Sequence, residues 1–168
     1  MPRLARKKSE SNIYHIMLRG INRQVIFQDD EDSEKYLQCL EVCKTISGFT
    51  LHAYCLMGNH LHLLIEEQRE TLEQIFKRVG VRYVYWYNWK YKRTGHLFQD
   101  RFKSEPVNDD AYFLAVLRYI LQNPVKAGLC RHPADYRWSS YGFIGNSVSL
   151  ADHSKALELL PEDKLRAF

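Results

Sequence analysis

The apolar positions of this chain change period as they run. Between Asp29 and Ser47, Tyr36, Leu37, Leu40, Cys43 and Ile46 recur at helical spacing. From Thr71 to about Lys92, Leu72, Ile75, Phe76, Val79, Tyr83, Trp86 and Tyr87 do the same. Both stretches predict helices that bury one stripe. Acids crowd the start of the first, where they suit the helix dipole, and Gly48 stops it; Thr71 is an N-cap for the second, which Gly95 breaks. Ile13–Arg19, Phe49–Met57 and His60–Glu66 read as strands, the last two joined by a Gly58-Asn59 hairpin turn. Phe98–Val107 reads as a fourth strand or extended segment. Asp109 or Asp110 caps a further helix to about Gln122, with Pro124 expected to end it, because the residue before a proline is pushed out of helical geometry.

This order predicts an α+β fold: a ferredoxin-like βαββαβ unit with a four-stranded antiparallel sheet, both main helices on one face and an added helix near the open face. Side chains alternate across a strand, so Leu61, Leu63 and Ile65 share one face and His60 and His62 the other. The leucine face meets the two helices, and the imidazole face is left for substrate or for the added helix. One domain over residues 12–145 accounts for the pattern. A flexible basic arm, residues 1–11, precedes it, and a tail, 146–168, adds a short helix or stays loose.

Composition sharpens this reading. Hydrophobic residues make up 45%, enough for a real core and against disorder. The net charge of +4 is small but uneven: residues 1–28 hold six Lys/Arg against one acid, and 69–108 hold nine against four. Basic segments rich in aromatics suit a nucleic-acid binder. Arg19, Arg23, Arg101 and Lys103 are candidate phosphate contacts. Tyr85 and Trp89 leave the buried stripe of their helix and are candidates for stacking on bases. No apolar run approaches membrane-spanning length and no apolar signal core follows the basic N-terminus, so a soluble, cytoplasmic protein with no membrane partner is expected. The four cysteines form no CxxC pair and read as buried reduced thiols.

His60 and His62 present two imidazoles at a spacing that can hold one metal ion. Tyr119 and Asn123, four residues apart, can project from one helix face. Were that helix to lie on the open sheet face, a phenol and an amide oxygen would join the imidazoles around a divalent cation, with positions left for phosphate oxygens and the tyrosine as nucleophile. Bland alternatives stand beside each role: exposed histidines without a ligand, a tyrosine packed on the sheet, and Asn123 before Pro124 as the N-cap of a following turn. His15, His52 and His96 read as structural or DNA-facing. Glu66 and Glu105 are carboxylates that spacing does not favour for the site.

Gly58-Asn59-His60-Leu61-His62-Leu63-Leu64 resembles the HUH motif, histidine, bulky apolar residue, histidine. Tyr14-His15 with Arg19-Gly20, the run from Gly95 to Phe102, the run from Tyr119 to Gly128, and Trp138-Ser139-Ser140-Tyr141 resemble the further signatures of REP-associated tyrosine transposases, single-tyrosine HUH transposases of bacterial insertion sequences. The likeness covers roughly residues 12–145. It implies a single-stranded DNA endonuclease and strand transferase that cleaves beside hairpin (palindromic) DNA, leaving a 5′-phosphotyrosine and a free 3′-hydroxyl. Tyr119 matches the nucleophile, and His60 and His62 the metal ligands. Asn123 stands where the third ligand falls, a position at which the wider superfamily often has glutamine. Magnesium or manganese is the implied cofactor, hairpin-bearing single-stranded DNA the implied partner, and a nucleoid-associated monomer or homodimer the implied state. The alternative is a domesticated protein that binds such hairpins without cutting them.

Overall fold

The computed structural model describes residues 4–168. Strand β1 (Ile13–Arg19) is followed by helix α1 (Asp30–Ser47), strands β2 (Thr50–Leu56) and β3 (His60–Glu66), helix α2 (Leu72–Lys90), strand β4 (Lys103–Pro106) and helix α3 (Asp110–Lys126). Two short helices, α4 (Ser154–Leu159) and α5 (Glu162–Arg166), end the chain. The helix starts are written in the local sequence. The Asp29 carboxylate accepts from the Asp32 amide, Thr71 and Gln74 cap each other reciprocally, and the Asp109 side chain accepts from the Tyr112 amide. Gly48 closes α1 at a φ of 72°, a left-handed conformation that favours glycine.

The sheet order is β2-β3-β1-β4 with every neighbour antiparallel, which is the expected ferredoxin-like arrangement. One face, bearing Ile16, Leu18, Leu61, Leu63 and Ile65, is buried under α1 and α2 in a core rich in aromatics. Tyr36, Tyr83 and Phe27 meet there at ring separations of 5.1–5.8 Å. Lys90, near the end of α2, reaches Asp29, Glu31 and Asp32 at the start of α1, so the two helices run antiparallel. The opposite face carries the imidazoles, and α3 crosses it. Phe113, Val116, Leu117, Ile120 and Leu121 are buried there against Ala53, Cys55 and Leu64.

Three local expectations are corrected. The segment 98–107 is not one strand. Phe98 bridges Gly20 and the Gln99 amide reaches the Arg19 carbonyl, but the chain leaves the sheet edge at 100–102 before β4 resumes the pairing. Pro124 does not end α3, which continues to Lys126. Proline removes one N–H, but the Ala127 and Leu129 amides still bond the Asn123 and Pro124 carbonyls, and the ring is buried, so packing outweighs the local preference. Asn123 is consequently interior to the helix and is not an N-cap. The basic arm is also held rather than loose from Arg6 onward: the Arg6 guanidinium lies 3.7 Å from the centre of the Phe102 ring and bonds Glu73, and the Ser9 amide donates to the Tyr14 hydroxyl. At the other end, Ala156 of α4 and Leu165 of α5 are buried in the α3 cluster, and the Tyr141 hydroxyl donates to the Arg166 carbonyl. All four cysteines are free, three of them buried.

Candidate active site

Antiparallel register decides what stands beside the two histidines. β1 pairs with β3 so that Met17 faces His62, Arg19 faces His60 and His15 faces Leu64; on its other side, His15 faces Glu105 and Met17 faces Lys103 of β4. Since alternate residues share a face, His15, Met17 and Arg19 lie in rows with the imidazoles, Lys103 and Glu105. The turn before β3 is braced from outside. The Gly20 amide bonds the Asn59 carbonyl, and the Ile26 and Phe27 amides converge on the Gly58 carbonyl. A Cβ on Gly20 would sit 2.2 Å from the Gln24 carbonyl oxygen, so only glycine permits this approach.

Each imidazole is gripped on its Nδ1 side. His60 Nδ1 is 2.7 Å from Asn59 Oδ1, and His62 Nδ1 is 3.0 Å from His15 Nε2. With those hydrogen bonds made by Nδ1–H, each Nε2 carries its lone pair, that of His62 directed at the Asn123 side chain, which is how ligating histidines are usually oriented. Burial pushes the His62 imidazole down to about 3, helped by the neighbouring His15, His60 and Arg19 charges. His60 is lowered by burial and then by Arg19, with the Asn123 side chain opposing. His15 is lowered by burial, with Glu105 opposing. The three rings are thus neutral at neutral pH.

α3 brings the remaining two groups. Its buried stripe fixes the rotation of the helix, and Tyr119 and Asn123 fall on the flank above the imidazoles. Asn123 Nδ2 is 3.4 Å from His62 Nε2, and a half-turn of the carboxamide would present its oxygen instead. The Tyr119 ring centre is 5.5 Å from that of His62 and 5.7 Å from that of His15, edge-on to both. Tyr119 is 42% exposed. Lys126 Nζ lies 5.4 Å from the centre of its ring. A cavity of about 410 Å³ opens in front of this phenol, bounded by His15, Met17, Lys103, Glu105, Tyr112 and Tyr119. Among the described residues, no group of three His, Cys, Asp or Glu side chains is placed to hold a metal. A cation here would therefore draw on His60, His62 and the amide oxygen of Asn123, a donor set whose neutral, pre-oriented nitrogens fit a divalent ion.

The family model described as "Transposase IS200 like" matches residues 8–123. The chain belongs to the IS200-like transposase family. Among solved structures, that of a REP-associated tyrosine transposase bound to a REP hairpin is similar over 92% of this chain and 96% of that one, with a TM-score of 0.72 and 15% sequence identity. At that identity the likeness is one of fold. A candidate transposase of Deinococcus radiodurans R1 matches over 71% of this chain and 95% of that one, at 17% identity and a TM-score of 0.49. Comparison with curated proteins finds no match.

The four basic residues expected to contact phosphate are divided in this IS200-like transposase. Arg19, Arg101 and Lys103 border one depression of about 90 Å³ with Met17, Gln99 and Asp100, next to the imidazole rows. Arg23 stands apart on a short 3₁₀ turn, where its carbonyl accepts a bond from Asn59 Nδ2. Glu66 is drawn away to His52, at 3.0 Å, and does not reach the site; Glu105 borders its cavity and bonds the Tyr112 hydroxyl. His15 is the residue whose place the sequence understated. Its period-two relation to Arg19 was visible, but its contact with His62 follows from the β1–β3 register. No helix among the described residues is long and apolar enough to cross a membrane.

Proposed function

We propose that this transposase is a metal-dependent single-stranded DNA endonuclease and strand transferase that cleaves beside hairpin DNA, with Tyr119 as nucleophile and magnesium or manganese as cofactor. The observation that carries this reading is the convergence of a half-exposed phenol and a carboxamide, one helical turn apart on α3, on two neutral imidazoles of β3. In the reaction, the Tyr119 oxygen forms a bond to phosphorus and the bond from phosphorus to the 3′ oxygen breaks. The phenolic proton passes to solvent and the departing oxygen takes one up, leaving a 5′-phosphotyrosine and a 3′-hydroxyl. The phosphodiester is conserved, so a second 3′-hydroxyl reverses the step without ATP. A phenol of ordinary pKa, about 10, is ionised only about one part in a thousand at neutral pH, a deficit of about 4 kcal/mol. When bound, a cation supplies Lewis acidity at the phosphoryl oxygens.

The chain's own residues do the rest. His60, His62 and Asn123 hold the cation, His15 fixes the orientation of His62, and Lys126 places a positive charge beside the attacking ring. Arg19, Arg101 and Lys103 guide the strand's phosphates past the cavity. The similar solved fold is that of a protein bound to a REP hairpin, which supports a hairpin as the partner here. Because α3 lies on its own sheet, one chain brings every group together, and a monomer suffices.

Incubation with hairpin-bearing oligonucleotides and magnesium or manganese, followed by mass spectrometry, tests the proposal. A covalent nucleotide on Tyr119 is expected. Tight hairpin binding with no adduct would favour a non-cleaving binder instead. Mixing Tyr119→Phe with His60→Ala protein should restore no cleavage; recovered activity would mean that active sites are shared between chains.

A further inference from the structure

The outer side of the α1–α2 pair carries a groove that the reaction above does not use. Positions 35, 38, 39 and 42 of α1 face positions 82, 85, 86 and 89 of α2 across a space of about 400 Å³. The two sets have the same i, i+3, i+4, i+7 spacing, so each is a single stripe along its helix. Tyr85 and Trp89 stand 78% and 72% exposed, with Val42 also exposed on the facing helix. Scattered surface apolar groups are ordinary, but two large aromatic rings one turn apart in one groove form a patch.

Charge says what fits it. Lys35 lies 5.9 Å from the centre of the Trp86 ring and Arg82 is exposed, and neither forms an ion pair among the described residues. Acids at the start of α1 are engaged elsewhere: Asp29, Glu31 and Asp32 by Lys90, Asp30 and Glu34 by Arg137. The groove thus pairs bare cations with bare aromatic faces, the combination that holds single-stranded nucleic acid by phosphate contact and base stacking. An apolar protein helix would leave Lys35 and Arg82 uncompensated on burial. Four residues of helix separate Tyr85 from Trp89 by about 6 Å along the axis, whereas stacked bases repeat about every 3.4 Å, so the rings suit successive bases of an extended strand.

We propose that this groove is a second binding site for single-stranded DNA, in which unpaired bases stack on Tyr85 and Trp89 and phosphates meet Lys35 and Arg82, on the side of the sheet away from Tyr119. It does not depend on Tyr119 acting as nucleophile.

The test uses the whole chain carrying Tyr119→Phe, so that no covalent capture intervenes. A non-hairpin oligodeoxythymidine of about 16 nucleotides containing 5-iododeoxyuridine is photocrosslinked and the adducts are mapped. Crosslinks at Tyr85 and Trp89 are expected, and an unlabelled duplex, whose base faces are hidden, should compete poorly. Lys35→Glu/Arg82→Glu, which leaves the rings in place, should lower that crosslinking several-fold. Tyr85→Ala/Trp89→Ala should weaken the oligonucleotide's affinity at least about tenfold with the melting temperature unchanged. Crosslinks confined to β1, β3 and α3, or wild-type affinity in the doubly substituted protein, would overturn the proposal. Adduct formation on hairpin DNA by the same aromatic variant with Tyr119 intact is expected to persist, which separates failure of this site from failure of the active site.

Discussion

The two faces of the sheet use the same residue types to opposite ends. Under α1 and α2, tyrosines are structural: Tyr83 is buried and its hydroxyl donates to the Ile26 carbonyl, and Tyr87 likewise reaches the Val25 carbonyl. Burial drives the Tyr83 phenol far above its ordinary range, with the Asp32 charge adding to the effect. Under α3, the tyrosine at 119 stands half in solvent beside neutral imidazoles, with a cavity in front of it. The histidines divide in the same manner. His52 is paired with Glu66 and edge-on to Phe113, whereas His60 and His62 are held at Nδ1 by Asn59 and His15, with the Asn123 side chain beside the Nε2 of His62. The phenol proposed as nucleophile differs from a packing phenol by accessibility and by company, both of which are set by the helix that carries it.

The sharpest break of this comparison exchanges hydroxyls. Tyr119→Phe should abolish the covalent adduct while leaving hairpin affinity and stability nearly unchanged. Tyr83→Phe should keep the adduct and cost about 1–3 kcal/mol of stability, because the Ile26 carbonyl is left buried without its donor. Adduct in Tyr119→Phe would remove that residue from its role. Next in size, His60→Ala or His62→Ala should lower metal-dependent cleavage more than about a hundredfold, since direct ligands matter more than their supports. Initial rates in titrated manganese, with a chelated control, measure this, and unchanged rates would refute the metal site. His15→Ala should raise the metal concentration needed for half-maximal rate by about 10–100-fold, a supporting residue's share, with the saturating rate less affected.

A pH dependence of stability separates the two faces further. Burial keeps the His62 folded pKa near 3, against about 6.5 in the unfolded chain. The unfolded chain therefore takes up the proton first on acidification. The contribution of His62 is fully present above pH 6.5 and is lost as pH falls toward 3, at up to about 1.4 kcal/mol per pH unit. Urea unfolding of the metal-free protein at a series of pH values should show His62→Gln with a shallower fall than wild type. Equal slopes would show that the ring is not held neutral.

Much of this was readable in the chain because it is local. The Gly58-Asn59 turn and the alternation from His60 to Ile65 gave the hairpin and assigned imidazoles and leucines to separate faces, and the spacing of Tyr119 and Asn123 placed both on one helical flank. What escaped depends on distant partners. The His15–His62 contact requires the register between two strands separated by forty residues of sequence and more. Pro124 reads as a stop until its burial within the last turns of α3 is known. Residues 98–107 read as one strand or extended segment because nothing in their periodicity marks the departure from the edge at 100–102. Arg23 counted with the other basic residues by charge alone, which carries no position.

Asn59 ties three parts of the molecule together. Its side-chain oxygen holds His60, its carbonyl holds Gly20, and its side-chain nitrogen reaches the Arg23 carbonyl. Were a phosphate to pull on Arg23, the displacement of the short turn at 21–23 would reach the His60 ring through one amide. On the proposed reading, that would gear grip on the strand to aim of the metal site across a single residue's width.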